Sequence, residues 1–127
     1  MARMPTPPEK PLHWLASSKR DLLAMPPLVT REIGLALSVA QFGGKHPSAK
    51  PWKGLGPGVF EIVADGDGTT FRAIYAIRFE RAIYVLHCFQ KKSPNGRRTA
   101  KTDIALIARR LNAAKADYEV QYGSQTN

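Results

Sequence analysis

The chain has 127 residues, of which 43% are hydrophobic, and it carries 19 lysines and arginines against 10 aspartates and glutamates. A single domain of this length can bury a core without staples. The net charge of +9 indicates a polyanionic partner such as nucleic acid, the ribosome or an anionic membrane surface. A solvated basic surface without such a role would give the same composition.

Several classes of protein are excluded by what the sequence lacks. No apolar run approaches the roughly 20 residues of a membrane span, and the beginning of the sequence has no apolar signal-peptide core. Cys88 stands alone in an apolar run, which is typical of a buried thiol. The three histidines show no metal-ligand spacing. We expect a cytoplasmic protein with no cofactor, no metal and no membrane partner.

The first part of the chain predicts an arm, a strand and a helix. Residues 1–10 are polar and rich in proline, which indicates a flexible arm. The sequence LHWL at 12–15 is a strand candidate. Ser18 and Asp21 have the spacing of a capping box, so a short helix is predicted to begin near residue 19 and to end at the prolines 26–27.

A second helix is predicted directly after those prolines. Its apolar residues follow the spacing i, i+4, i+7, i+8 and i+11, which places them on one helix face: Val29, Ile33, Ala36, Leu37 and Ala40. Gly43 and Gly44 are predicted to end it. The following segment, 45–58, is interpreted as a loop whose glycines serve turns, because it contains neither of the common phosphate-binding glycine motifs.

Three strands are predicted next, at 59–65, 70–79 and 82–90, and their short connections predict an antiparallel meander. Thr99 is a candidate cap for a last helix, whose predicted buried face is Ile104, Ile107, Ala108 and Leu111. Residues 117–127 are interpreted as a polar tail. The sequence therefore predicts one α+β domain over 11–116, with the helices on one face of the sheet and the other face open.

Positive charge is concentrated around the predicted meander. Alternation in the second strand puts Arg72 on the face opposite to Tyr75. An arginine within an apolar strand is costly unless its guanidinium reaches water or an anion. Five cations also lie between positions 91 and 101: Lys91, Lys92, Arg97, Arg98 and Lys101. With Lys50 and Lys53 before the meander, they are predicted to line a groove that binds a phosphodiester backbone, with Trp52, Tyr75 or Phe89 available to stack on bases.

Residues 11–114 resemble the RelE/HigB family of bacterial toxins, in particular its phage-derived HigB-like branch. The resemblance is carried by K-G-L-G-x-G-V-x-E-I from Lys53, by an aromatic-Arg-x-x-Tyr strand at 71–75, and by F-x-K-K-S from Phe89. It implies a RelE-like antiparallel sheet made of the meander and an N-terminal strand, with two N-terminal helices and a C-terminal helix. It also implies a ribosome-dependent mRNA endonuclease that uses no metal, and a helix-turn-helix antitoxin that neutralises it.

The resemblance further implies roles for individual residues. The reaction of the family is attack by a ribose 2′-hydroxyl on the adjacent phosphate, which requires a base, a cation for the phosphorane charge and an acid. Arg72 matches the sheet arginine of the family and is the candidate for phosphate stabilisation. Lys91 and Lys92 are the other catalytic candidates, since either could bind phosphate or transfer a proton. Lys50, Lys53, Tyr75, Arg97, Arg98 and Lys101 are the RNA-binding candidates.

The basic segment departs from the family pattern because it contains no tyrosine or histidine for proton transfer. His87 lies in the adjacent strand, where its apolar neighbours favour a core position. Two other functions therefore remain open at the level of sequence. One is a ParE-like inhibitor of DNA gyrase, and the other is a basic module that binds nucleic acid without cleaving it.

Overall fold

The computed structural model describes residues 8–91 and 99–123. Within these ranges the chain forms five strands and three helices in the order β1 (Leu12–Trp14), α1 (Ser18–Leu23), α2 (Pro27–Gln41), β2 (Ala49–Pro51), β3 (Val59–Gly66), β4 (Thr69–Ala76), β5 (Ile83–Gln90) and α3 (Lys101–Tyr122). The predicted order is confirmed except for β2, which lies in the segment predicted to be a loop. A three-residue edge strand that contains a proline has no recognisable strand pattern.

The strands form one mixed sheet in the order β1-β5-β4-β3-β2. Strands β2 to β5 pair antiparallel, so the predicted meander and the α+β class are confirmed. The N-terminal strand also belongs to the sheet, but it pairs in parallel with β5, with Leu12 opposite Ile83 and Trp14 opposite Val85. The first strand therefore forms one edge of the sheet, directly beside β5.

Helices cover both faces of the sheet, which corrects the prediction of one open face. On one face, α1 and α2 pack on side chains that include Ile62, Tyr75 and Val85. On the other face, α3 packs over one end of the sheet, where Ile107 and Leu111 join a second core cluster. Because α3 covers only part of this second face, the remaining part stays accessible.

Helix α2 has the predicted face and the predicted end. Its buried residues are the predicted set: Val29, Ile33, Ala36, Leu37 and Ala40. The helix stops at Gln41, and Gly43 has a φ of 90°, a conformation that favours glycine. The main chain of Lys10 bonds to the carbonyl of Gln41 at 2.9 Å, so the predicted arm is anchored by its last residue. Residues 1–7 of that arm lie outside the described ranges.

Helix α3 begins later and continues further than predicted. Its N-cap is Ala100 rather than Thr99, and Ile104 is exposed rather than buried. The helix runs through Tyr122, so residues 117–122 belong to α3 and not to the predicted polar tail. The reason is aromatic packing: Tyr118 is buried against Phe79, and Tyr122 accepts or donates a 2.7 Å hydrogen bond with His13.

Strand β5 contains a bulge that reverses its alternation. Tyr75 pairs with Val85 but Ile74 pairs with His87, so Leu86 is an extra residue. Before the bulge the even-numbered Tyr84 lies on the α3 face, whereas after it the odd-numbered Phe89 does. The bulge therefore turns the odd-numbered side chains that follow it, up to Lys91, onto the face that α3 leaves partly open.

The glycine-rich loop between β2 and β3 is held by Arg78. The Nη2 atom of Arg78 donates to the carbonyl of Leu55 at 2.5 Å and to that of Pro57 at 3.1 Å. Gly58 has a φ of 85°, and a Cβ there would lie 2.9 Å from the Cβ of Arg78. The interpretation of these glycines as turn residues is therefore supported by their geometry.

Replacing Gly58 by alanine is expected to destabilise the protein by about 2 kcal/mol or more, because left-handed strain adds to a steric clash. Thermal unfolding followed by circular dichroism measures this. Gly54→Ala is the matched control, since Gly54 also has a positive φ but a Cβ there would meet nothing within 4 Å. Equal melting temperatures for the two variants would contradict the close packing of Arg78 against Gly58.

Candidate nucleic-acid interface

Four charged residues, one from each of four neighbouring chain segments, meet on the face that α3 leaves open. Lys50 in β2 pairs directly with Glu61 in β3. Glu61 pairs with Ile74, so it shares a face with Arg72 two residues earlier in β4. Lys91 follows β5 and bonds through its main-chain N–H to Thr70 at 2.8 Å, which places it beside the start of β4. Sheet register thus brings three cations and one carboxylate together.

Glu61 is the acceptor at the centre of this group. Its Oε2 atom accepts a 2.5 Å hydrogen bond from Nη1 of Arg72, and its Oε1 atom lies 3.6 Å from Nζ of Lys50. Arg72 is 8% exposed and Glu61 is 6% exposed, whereas Lys50 is largely in solvent. A buried arginine–carboxylate pair of this kind fixes both side chains at the floor of the groove.

Arg72 retains hydrogen-bonding capacity beyond this pair. Its Nε atom is buried and has no hydrogen-bond partner among the described residues. A buried N–H without a partner costs about 1–3 kcal/mol, so such groups in proteins require an explanation. A phosphate oxygen would satisfy it, because the guanidinium presents several donors in one plane.

Lys91 is also buried, at 8% exposure. Burial lowers the pKa of the Lys91 ammonium, and repulsion from Arg72 and Lys50 adds to that effect, while the Glu61 carboxylate opposes it. The three cations against one carboxylate make the local charge positive, so an anion bound here would stabilise the protonated lysine.

Other residues widen this group into a groove with a volume of about 600 Å³. Trp52 and Lys53 contribute from the loop after β2, as the sequence predicted for Lys53. Thr99, just before α3, and the exposed Ile104, in the first turn of α3, also line this space. We use "basic groove" for the space lined by Lys50, Pro51, Trp52, Lys53, Glu61, Arg72, Lys91, Thr99 and Ile104.

Three predicted contacts with RNA among the described residues are not in the basic groove; one of them, Phe89, is buried and stacks on the His87 ring. Tyr75 is 1% exposed and lies in the core beneath α1 and α2, so it cannot stack on a base; burial also raises its pKa to about 12. Lys101 is exposed at the beginning of α3 but does not line the groove. The predictions for Lys92, Arg97 and Arg98 fall at 92–98, outside the described residues.

His87 is buried, as predicted, but it is bonded rather than merely packed. Its Nε2 atom lies 2.8 Å from Oδ1 of Asp103, and Nη1 of Arg110 lies 3.4 Å from its Nδ1. Its ring also stacks on Phe89 with centroids 4.5 Å apart. These contacts fix the first turn of α3 against β5, beside the basic groove. Cys88 is a buried thiol with a pKa raised to about 12 by burial, as its apolar neighbours indicated.

The sequence does not reveal the parts of the groove that come from distant segments. The bond between Glu61 and Arg72 depends on the register of β3 and β4, which no local pattern in the sequence shows. Thr99 and Ile104 were interpreted as a helix cap and a buried helix residue. An apolar residue in a first helical turn carries no signal that would have revealed a groove position.

In the part of the chain that the structure describes, no group of three or more His, Cys, Asp or Glu side chains is arranged to hold a metal ion. None of the described helices combines the length and the hydropathy needed to cross a bilayer.

Comparison with known proteins places the chain in a family. Residues 20–112 match the family model described as "Phage derived protein Gp49-like (DUF891)". A crystal structure of the toxin–antitoxin complex RelBE2 from Mycobacterium tuberculosis is similar over 68% of this chain and 95% of that chain, with 21% identity and a TM-score of 0.41. Comparison with curated proteins gives no match. Since the family model spans most of the chain and includes β2 to β5, the chain belongs to the phage-derived Gp49-like family.

Proposed function

We propose that this protein is the toxin of a toxin–antitoxin system and that it cleaves messenger RNA in the ribosome. The observation that carries the proposal is the basic groove, in which a buried arginine lies beside a buried lysine of lowered pKa, and in which the arginine Nε has no partner among the described residues. A site for a neutral ligand would not concentrate cations in this way. The resemblance of residues 11–114 to the RelE/HigB toxins supplies the class of substrate.

The residues of the groove can take separate roles in cleavage of RNA by intramolecular transesterification. The 2′-oxygen attacks the neighbouring phosphorus, the bond from phosphorus to the 5′-oxygen breaks, and a 2′,3′-cyclic phosphate forms. We assign Arg72 to the phosphate, where its guanidinium would stabilise the charge that develops on the phosphorane oxygens. No metal or cofactor takes part in the proposed reaction.

Two proton transfers accompany these bond changes. Glu61 is assigned to the proton that leaves the 2′-hydroxyl, because it is the carboxylate that lines the groove among the described residues. Lys91 is assigned to the proton that the 5′-oxygen receives, because an ammonium with a lowered pKa is a stronger acid at neutral pH. Positioning of the message by the ribosome supplies part of the rate enhancement.

The groove also supports binding of a single-stranded message. Lys50 and Lys53 lie at its rim, where they would contact flanking phosphates. Trp52 is the aromatic residue that lines the groove in the described part of the chain, so it takes the stacking role considered for Tyr75. The proposed partners are therefore mRNA, the ribosome and a helix-turn-helix antitoxin, in the cytoplasm.

Translation of a defined mRNA by purified ribosomes tests this function. Addition of the protein is expected to produce discrete new 5′ ends, mapped by primer extension, and no such ends on naked mRNA. The upstream fragments are expected to resist polyadenylation until a 3′-phosphatase opens and removes the cyclic phosphate. Absence of cleavage with the wild-type protein, in the presence of ribosome binding, would overturn the nuclease and leave a binding module.

A further inference from the structure

Helix α2 and its C-cap residue, Phe42, expose large apolar side chains at a regular interval. Leu28, Leu35 and Phe42 are 77%, 56% and 43% exposed, and seven residues separate each from the next. Two turns of an α-helix take about seven residues, with a drift of only about 20° per heptad. The three side chains therefore form one stripe along the helix. Single exposed leucines are common on protein surfaces, but a stripe of this kind marks an interaction surface.

The stripe is separate from the core face of α2. The buried positions, from Val29 to Ala40, contact the sheet, whereas the stripe projects away from it. Gly34, next to the stripe, has open space on its surface, since a Cβ there would meet nothing within 4 Å. No packing within the described chain accounts for a glycine that weakens the middle of a helix by about 1 kcal/mol relative to alanine.

The charges on α2 indicate the sign of a partner. Arg31 lies between Leu28 and Leu35 on the same side of the helix, is exposed, and forms no ion pair with a described residue. The acidic residue of the helix, Glu32, is occupied by the hydroxyl of Ser48 at 2.7 Å. A second copy of this chain would place another Arg31 and another net charge of +9 against the surface. Self-association is therefore disfavoured.

We propose that Leu28, Arg31, Leu35 and Phe42 form a docking surface for an acidic amphipathic helix of a partner protein. Apolar residues of the partner at heptad spacing would pack along the stripe, and a carboxylate beside them would pair with Arg31. The docking surface goes beyond the proposed function and does not depend on it. Only the further step of equating this partner with the proposed antitoxin would rest on the proposed function. Because α2 and the basic groove lie on opposite faces of the sheet, the bound helix would leave the groove uncovered.

Binding of synthetic peptides tests the surface without any assumption about the natural partner. The probe is a fluorescent helical peptide of about three heptads with leucine at a and d and glutamate at e and g. One control peptide carries lysine in place of glutamate, and a second carries serine in place of leucine. Anisotropy titrations of the full-length protein are expected to show binding of the first peptide and at least about tenfold weaker binding of both controls.

Variants locate the binding to α2. Leu35→Glu and Arg31→Glu are each expected to weaken binding of the acidic leucine peptide by about tenfold or more. Val120→Glu is the matched control, because Val120 is an equally apolar helical residue that is 85% exposed but lies on α3. The affinity of Val120→Glu for the acidic leucine peptide is expected to stay within about twofold of the wild-type affinity. Circular dichroism confirms that each variant is folded.

Three outcomes would overturn the proposal. The first is absence of binding by the acidic leucine peptide, and the second is equal binding by the acidic serine peptide, which would indicate general attraction to a basic protein. The third is a wild-type dimer in sedimentation that Leu35→Glu converts to a monomer, which would assign the surface to a second copy. Messenger RNA cleavage enters none of these measurements, so failure here and failure of the proposed nuclease are distinguishable.

Discussion

Arg72→Ala is expected to reduce cleavage of ribosome-bound mRNA by about 10²–10³-fold, the usual effect of removing a donor that stabilises transition-state charge. The same change is expected to lower the free energy of unfolding by about 3–5 kcal/mol, because it leaves the buried Glu61 carboxylate without its main partner. The first effect concerns chemistry and the second concerns folding, so the alanine variant alone cannot separate them.

A double variant separates the two effects. Arg72→Met together with Glu61→Met replaces the buried pair by apolar side chains of similar size, which is often neutral for stability or favourable. We expect this protein to unfold at or above the wild-type temperature and still to lack cleavage activity. Arg72→Lys provides a second comparison, since it keeps one charge beside Glu61 but loses the planar set of donors. A folded double variant with wild-type cleavage would remove Arg72 and Glu61 from the mechanism.

Lys91→Met is expected to reduce cleavage by about 10²–10⁴-fold, the range for loss of a general acid. It is not expected to lower stability at pH 7. The pKa of Lys91 is lowered in the folded protein, so the unfolded chain holds this proton more tightly. Lys91 therefore costs stability at neutral pH, and that cost disappears as the pH rises through its folded pKa towards the unfolded value of about 10.4. Urea unfolding at pH 7 and at pH 10 measures this effect. Between the two pH values, the free energy of unfolding should increase more for the wild type than for Lys91→Met.

Lys91→Arg distinguishes proton transfer from phosphate binding. Arginine keeps the positive charge but does not release a proton at accessible pH. Impaired cleavage with normal ribosome binding is the expected result. The wild-type rate should also fall as the pH rises through the pKa of Lys91, and this decline should be missing from the arginine variant. Wild-type cleavage by Lys91→Arg would mean that Lys91 only binds phosphate.

The sequence predicted those parts of the fold that depend on local pattern. Every buried residue of α2 was predicted, because the period of a helix places apolar residues at fixed intervals on the face that contacts the core. The meander followed from short connections between apolar segments. The face of Arg72 followed from alternation within β4, a strand without irregularity.

The remaining features depend on distant contacts. Parallel pairing of β1 with β5 joins segments about 70 residues apart in the sequence, and no local pattern reports it. The position of α3 over the second face was missed for the same reason. Alternation correctly separated Tyr75 from Arg72, but it could not show that the Tyr75 face is the one covered by α1 and α2. The bulge at Leu86 likewise depends on register with β4.

The pairing of the first strand with the last has a consequence for the timing of activity during synthesis. A nascent chain emerges from its N-terminus, so β1 must wait for β5 before it can join the sheet. The four charged groups of the basic groove are distributed over positions 50 to 91, and α3, which closes one end of the groove, follows them. A chain synthesised only as far as β5 therefore lacks the part of the groove that Thr99 and Ile104 line. The basic groove is therefore completed only after the beginning of α3 has emerged, so the proposed partner can already be present when the groove forms.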